Sequence, residues 1–284
     1  MQRRSASLLC ALALFSGVNS GCSSTQEART PAAEPVLTDD AQVAGLSDAE
    51  IDRSGDLEIA RVADLLDQRL VQQVMACRIL ADNALVGGYY AGEEKPHETL
   101  TALRDTVSRS TAVVASLVDA NGVVTISSAP TAEGYQYSRW GFFRDGFAGD
   151  VLVLPSVGFV SQKRALFALV PHESAEGDIT GVVILRSEVT PFDQLLDELS
   201  YPAALVYRDR YALATNRPEL GFNGLRRLDE RGATIDLKNG ELFDVLDAVV
   251  PAIGETVTDG GITYAVERIP MAVPDWTLLI GRAQ

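Results

Sequence analysis

Cysteine is almost absent from this chain, with three in 284 residues, at positions 10, 22 and 77. Histidine is scarcer still, being confined to His97 and His172. No paired Cys/His spacing exists, so a zinc site is not expected, and no other cofactor is expected either. A basic excess is missing as well. Lys and Arg number 24 against 39 Asp and Glu, giving a formal charge of −15. That balance argues against nucleic acid, whose recognition leans on basic patches, and against lying flat on anionic lipid. Beyond the first twenty residues no stretch reaches 18 consecutive apolar residues, so no later segment reads as a membrane-spanning helix. There is no G-x-S-x-G elbow, no phosphate loop and no H-E-x-x-H, and neither histidine has a nucleophile beside it in a recognisable setting. The chain is therefore not expected to be an enzyme. A carboxylate pair for glycoside cleavage stays open at this level, because such a pair meets only in the fold.

What is present begins at the N-terminus. Arg3 and Arg4 precede an apolar run, Leu8 to Val18, of the length of a signal-peptide core. The run ends in Asn19-Ser20-Gly21-Cys22, small residues before a cysteine. This arrangement resembles the lipobox of bacterial lipoproteins, with Asn19 standing where that family prefers leucine. The resemblance implies lipidation of Cys22, which would become the new N-terminus. Acyl chains bury about 0.8 kcal/mol per CH2 and so hold stably. A plain secretory signal cut near Gly21 is the alternative. Ser23 after the cysteine points, by the same resemblance, to the outer membrane facing the periplasm rather than the inner one. Loss of both signal arginines takes the charge of −15 to about −17. Cys10 leaves with the signal, so Cys77 is left alone, with no intrachain disulfide to make. Its place in an apolar-periodic helix marks it as a small core residue.

Residues 23–54 are rich in Ser, Thr, Ala, Pro and acidic side chains, and read as a flexible tether. From Leu57 to about Leu85 apolar residues recur every three or four positions, which predicts a helix of about 28 residues. Asp56 is the expected cap and Gly87-Gly88 the expected stop. A second helix is predicted from His97 to Arg109, with Pro96 in its first turn. The period then falls to two. Val113–Val118 and Val123–Ile126 form a hairpin across Asp119-Ala120-Asn121-Gly122. Further strands are expected at 151–154, 165–170 and 181–186, followed by a short helix from Pro191 to Leu199. A smaller cycle follows, with strands at 204–208 and 211–215, a mixed segment to about Val250, and closing strands at 255–257, 263–269 and 276–281. The expected class is α+β: one long N-terminal stalk helix followed by two antiparallel-sheet modules. The division is a signal over 1–21, a tether over 22–54, a larger module over 55–200 and a smaller one over 201–284.

From about residue 56 to 284, VVASLVDANGVVTISS (113–128), the aromatic Arg/Trp segment after it, GDITGVVILRSEV (177–189) and PDWTLLIG (274–281) together resemble the double Cache sensor domain. These are tandem PAS-like modules of bacterial receptors. The resemblance implies a small-molecule ligand, an amino acid or small carboxylate. Family members usually sit between two membrane helices of a kinase, chemoreceptor or cyclase. This sequence shows no second anchor, coiled coil or output module, so a separate membrane receptor or kinase partner is implied. Two chains pairing along the stalk helix would be one form of assembly.

Tyr135 to Arg144 packs five aromatics and two arginines into ten positions of a chain that is 7% aromatic. Arginine takes a carboxylate by a bidentate fork, and aromatic walls add apolar area and a cation–π face. The family carries an arginine-aromatic motif here on a helix flanking its pocket. Phe142, Phe143 and Gly149 fit that spacing, Trp140 falls where its arginine would be, and Arg139 is one position off. Tyr135, Tyr137, Arg139, Trp140, Phe142 and Phe143 are thus the candidate ligand residues, with Ser161 and Lys163 facing the same pocket. The competing reading has these aromatics packing sheet against helix and the arginines solvated. His172 is expected in a solvated loop, Asp39-Asp40 in the tether, and Asp193, Asp197 and Glu198 on an exposed helix face. A structural lipoprotein acting by protein contact, with no ligand, is the second function considered, and a hydrolase the weakest.

Overall fold

The computed structural model describes residues 48–93, 95–157, 164–208, 211–217, 256–259 and 261–284. Cys22, the tether before residue 48, Ser161, Lys163 and most of the mixed segment before Val250 lie outside them. Helix α1 (Asp48–Ala81) runs 34 residues, about 50 Å at 1.5 Å per residue. Its buried side is Ile59, Val62, Leu66, Leu70, Cys77 and Leu80, the spacing of three and four that predicted it. The helix starts earlier than expected, so Asp56 is not its cap. Asp56 lies inside the helix and accepts from Arg282 at 2.7 Å.

The end of α1 also differs. The chain breaks at Asp82-Asn83, and Asn83 caps a second helix, α2 (Ala84–Tyr90), by accepting from Leu85 N at 2.9 Å. Gly87 and Gly88, read as a stop, lie within α2. A Cβ at Gly87 would stand 3.4 Å from His172 Nε2, an ordinary contact distance. Helix α3 (Pro96–Arg109) follows as predicted.

Five strands make the first sheet: β1 (Ala112–Asp119), β2 (Val124–Ser127), β3 (Leu152–Val157), β4 (Arg164–Glu173) and β5 (Ile179–Glu188), in the order β2-β1-β5-β4-β3. Every pairing is antiparallel. Helix α1 packs on β3, β4 and β5, where Cys77 Sγ lies 3.5 Å from Ala168 O and 3.4 Å from Val183 O. Burial pushes that thiol up to about 12. On the opposite side sits α4 (Gly141–Phe147), where a Cβ at Gly146 would stand 3.7 Å from Leu169 and 3.8 Å from Val182.

The helix α5 (Thr190–Asp197) leads to the second sheet. Its strands are β6 (Ala203–Tyr207), β7 (Tyr211–Thr215), β8 (Thr256–Asp259), β9 (Ile262–Pro270) and β10 (Trp276–Ala283), ordered β7-β6-β10-β9-β8. Besides the Arg282–Asp56 pair, further hydrogen bonds tie this sheet to the first part. Trp276 Nε1 donates to Val153 O at 2.9 Å, Arg164 donates to Leu213 O at 2.6 Å, and Asp67 accepts from Ala272 N at 2.7 Å. Asp193, expected on a solvated face, is instead largely covered and bridges Arg164 at 3.0 Å. The reason is tertiary: β7 and β4 close over the first turn of α5.

His172 is likewise not in a loop. It belongs to β4, half-buried, stacked on Tyr90 at 4.8 Å, with Nδ1 2.9 Å from Thr180 Oγ1. Tyr90 can reach it because Gly181 has no side chain, and a Cβ there would collide with the Tyr90 ring.

Candidate ligand site on the first sheet

The site begins with a turn. Asp119 Oδ1 accepts from Asn121 N at 3.0 Å and Val123 N at 2.8 Å, closing the β1–β2 hairpin. Gly122 takes a φ of 81°, and a Cβ there would stand 2.5 Å from Ser138 N. Only glycine satisfies both the backbone and the close approach. That approach lets residues 134–138 lie along β2, with Tyr137 N donating to Gly122 O at 2.6 Å and Val124 N to Tyr135 O at 2.9 Å. The strap then turns at Trp140 into α4.

The strap and α4 carry the aromatic cluster onto the sheet. Tyr135 meets Tyr137 edge-on at 4.8 Å, Tyr137 meets Phe142 at 5.8 Å, and Trp140 meets Phe142 at 5.5 Å. Phe142 reaches Phe167 of β4 edge-on at 6.3 Å. Trp140, Phe142 and Phe143 are buried, and Tyr135 and Tyr137 half-buried. Four of the five predicted aromatics therefore come together, while Phe143 stacks on Phe147 at 5.9 Å. Arg139 is exposed on the turn before α4, as is Arg144 on the helix.

A different arginine shares the aromatic face. Arg186 pairs in register with Phe167 on one side and Val114 on the other, and side chains directly opposite across strands project to the same face. Strand alternation adds Ile184, and register with Ile184 adds Ser116. Ser116 Oγ and Ser127 Oγ lie 2.8 Å apart, both buried. Burial lowers the Arg186 guanidinium from its ordinary value, against the opposing pull of Glu188 and Tyr137. Tyr137 is pushed well above the usual tyrosine range by burial, and the Arg186 charge draws it back. Tyr135 is raised by burial too, with the Trp140 indole N–H bonded to its hydroxyl acting against it.

Sequence reasoning passed over Arg186, although a signal existed. VVILRSE places one guanidinium inside an apolar strand run, and a charge in such a run is retained where it has a partner or a role. Among the described residues no group of three or more His, Cys, Asp or Glu is arranged to hold a metal. Nor, among them, is any helix long and apolar enough to cross a membrane.

The sequence matches no family model, and no curated protein matches it. Solved structures do. The sensor domain of the V. cholerae histidine kinase DctB is 15% identical, with 83% of this chain and 98% of that one covered and a TM-score of 0.61. The ligand-binding domain of the Pseudomonas fluorescens chemoreceptor CtaA, in complex with L-serine, is 17% identical over 83% of this chain and 96% of that one, TM-score 0.56. The sensory domain of the Campylobacter jejuni chemoreceptor Tlp3, with isoleucine bound, is 14% identical over 83% and 93%, TM-score 0.55. The fold is thus the α+β, double Cache type of bacterial sensor and ligand-binding domains, as the motifs implied.

Proposed function

We propose that this chain is a lipid-anchored, extracytoplasmic small-molecule sensor whose ligand sits between the first sheet and helix α4. One observation carries the reading: Tyr135, Tyr137, Trp140, Phe142, two serine hydroxyls and a half-buried arginine gather on one sheet face, in a fold shared with chemoreceptor domains solved with amino acids bound. Tyr135, Tyr137, Trp140, Phe142 and Phe143 form its wall, and Arg186 takes the anchoring role that the sequence suggested for Arg139. Ser161 and Lys163, outside the described residues, are the remaining candidate ligand residues. The ligand-binding module ends near residue 200, and the part from 201 onward is a second module that passes the bound state on. The output is a separate receptor or kinase in the membrane.

The test is thermal unfolding of the full chain in detergent against amino acids, carboxylates, amines and sugars, since a ligand of the folded state raises the midpoint with concentration. One coherent chemical class shifting the midpoint supports the reading, and a cooperative melt that no compound moves refutes it. The anchor is tested separately. Intact-mass measurement of membrane-extracted protein should show the first 21 residues gone and acyl mass on Cys22. Cys22→Ser should leave an uncleaved precursor without that mass.

A protein-contact reading without ligand has its own support. Val71, Met75 and Ile79, four apart on α1, are exposed apolar side chains. Beside them a groove of about 630 Å³ runs between α1 and α3, lined by Ala76, Ile79, Leu85, Ala102 and Thr106 among others. That stripe is where a second copy would pair along the stalk. Sedimentation of Met75→Glu against the unaltered chain distinguishes a dimer through α1 from a monomer.

A further inference from the structure

On the sheet face opposite the candidate ligand site, α1 packs through an apolar seam in which Leu66, Leu70, Cys77 and Leu80 are buried. One polar layer interrupts that seam. Gln73 and Ser187 are each only 1% exposed. Gln73 Nε2 and Ser187 Oγ are buried, and neither has a hydrogen-bond partner among the described residues. A buried polar atom left unmet is costly and rare, so two of them in one seam point to a bound group that meets both.

The two atoms belong to one layer. Cys77, one helical turn after Gln73, sets its Sγ 3.4 Å from Val183 O. Alternation along β5 puts Val183, Leu185 and Ser187 on the α1 face and Arg186 on the other. Four helix residues rise about 6 Å, and two strand residues about 6.6 Å. The step from Cys77 back to Gln73 therefore matches the step from Leu185 to Ser187. Thr111 fixes the direction: its hydroxyl donates to Gln73 Oε1 at 3.1 Å, and the next residue, Ala112, stands opposite Ser187 in the β1–β5 register. Ala112 and Ser187 are short side chains placed side by side. A bulge between Ala112 and Val114 also disrupts the ladder at this point. Together they leave space that a seam of leucines would fill.

Hydrogen-bond capacity sets the chemistry of the occupant. Gln73 Nε2 and the Ser187 hydroxyl can donate, while Thr111 Oγ1 has given its proton to Gln73 and keeps lone pairs to accept. Turning the amide over exchanges its two atoms and leaves the oxygen unmet instead, so Gln73 needs a partner from the seam in either orientation. None of the three groups is charged, so they offer an ion no countercharge. A water both accepts and donates, and buried waters typically make about three such bonds.

We propose that one ordered water sits between α1 and β5, accepting from Gln73 Nε2 and Ser187 Oγ and donating to Thr111 Oγ1. It fastens the long helix to the first sheet at a single polar point. Ser187 and Arg186 are neighbours on β5 with side chains on opposite faces, so this bridge ties α1 to the strand that carries the candidate ligand arginine.

The experiment is a high-resolution crystal structure of the full chain in detergent, paired with water relaxation dispersion in solution, which counts long-lived internal waters. Density for one water within hydrogen-bond distance of Gln73 and Ser187 is expected. A double variant, Gln73→Leu with Ser187→Ala, makes the layer apolar and should lose one long-lived water relative to the unaltered chain. If that variant does not melt cooperatively, the crystal structure of the unaltered chain decides alone. Gln73 and Ser187 bonded directly to each other or to other protein groups, with no water density between them, overturns the inference. An unchanged count of long-lived waters in a folded double variant overturns it as well.

Discussion

At the scale of single residues, context decided more than type. Arg139 and Arg186 are the same side chain, yet one lies exposed on a turn and the other is enclosed by two neighbouring strands. The arginine beside the aromatics in sequence was legible; the arginine beside them in space was not. Register between β4 and β5 is a long-range property that a one-residue slip would invert. His172 is a similar case. It stacks on Tyr90 and bonds Thr180, and burial lowers it from its ordinary 6.5, with Asp82 opposing the shift. A depressed histidine means that the unfolded chain binds the proton more readily than the folded one. Its stability contribution is therefore present above about pH 6.5 and is lost as pH falls from there toward the folded value. Urea melts at pH 7.5 and 5.5 should show the unaltered chain losing stability, and His172→Gln losing less. An equal loss in both would mean that this imidazole is not linked to folding.

Among the elements, α1 was the most legible because its burial follows its own periodicity. Ile59, Val62, Leu66, Leu70, Cys77 and Leu80 are the residues the pattern puts inside, and they are inside. Its ends were less legible. The helix breaks at Asn83, which caps α2, while Gly87 and Gly88 stay helical. The hairpin at Asp119–Gly122 was read correctly for a local reason: the carboxylate bonds two amides within four residues, and positive φ falls on glycine. Leu70 is fully buried in the middle of α1. Truncation there removes apolar contact with β3–β5 and leaves a cavity, so Leu70→Ala should cost about 2–5 kcal/mol in denaturant unfolding. A loss under about 1 kcal/mol would mean that the helix–sheet seam relaxes around the gap.

At the scale of the whole molecule, the two sheets share one apolar core, in which Leu205, Leu213, Trp276 and Leu278 join the residues of the first sheet. Trp276 is buried and donates to Val153 O across the junction at 2.9 Å. It also packs on Tyr207 at 5.3 Å. Replacing the indole by phenyl keeps an aromatic body and leaves a buried carbonyl unmet. Trp276→Phe should therefore lower stability by about 1–3 kcal/mol. If the second sheet reads the state of the first through this contact, the variant should also bind the compound class that raises the unfolding midpoint with unchanged affinity yet alter hydrogen exchange in β10 less on binding. Unchanged exchange coupling would place the communication elsewhere, for example in the Arg164–Asp193 bridge and its bond to Leu213.

The amino-acid sequence alone determined the α+β class, the long helix, the order of strands and the aromatic segment. Each of these is written in periodicity, turn residues or composition, which act within a dozen residues along the chain. Tertiary structure alone decided which charges are covered, which arginine joins the aromatics and where the sheets lock together. Those outcomes depend on contacts between residues far apart in sequence: Arg164 with Leu213, Trp276 with Val153, and Arg186 with the face that Phe142 covers. Burial of a polar group is a property of what folds over it, and no local pattern encodes that.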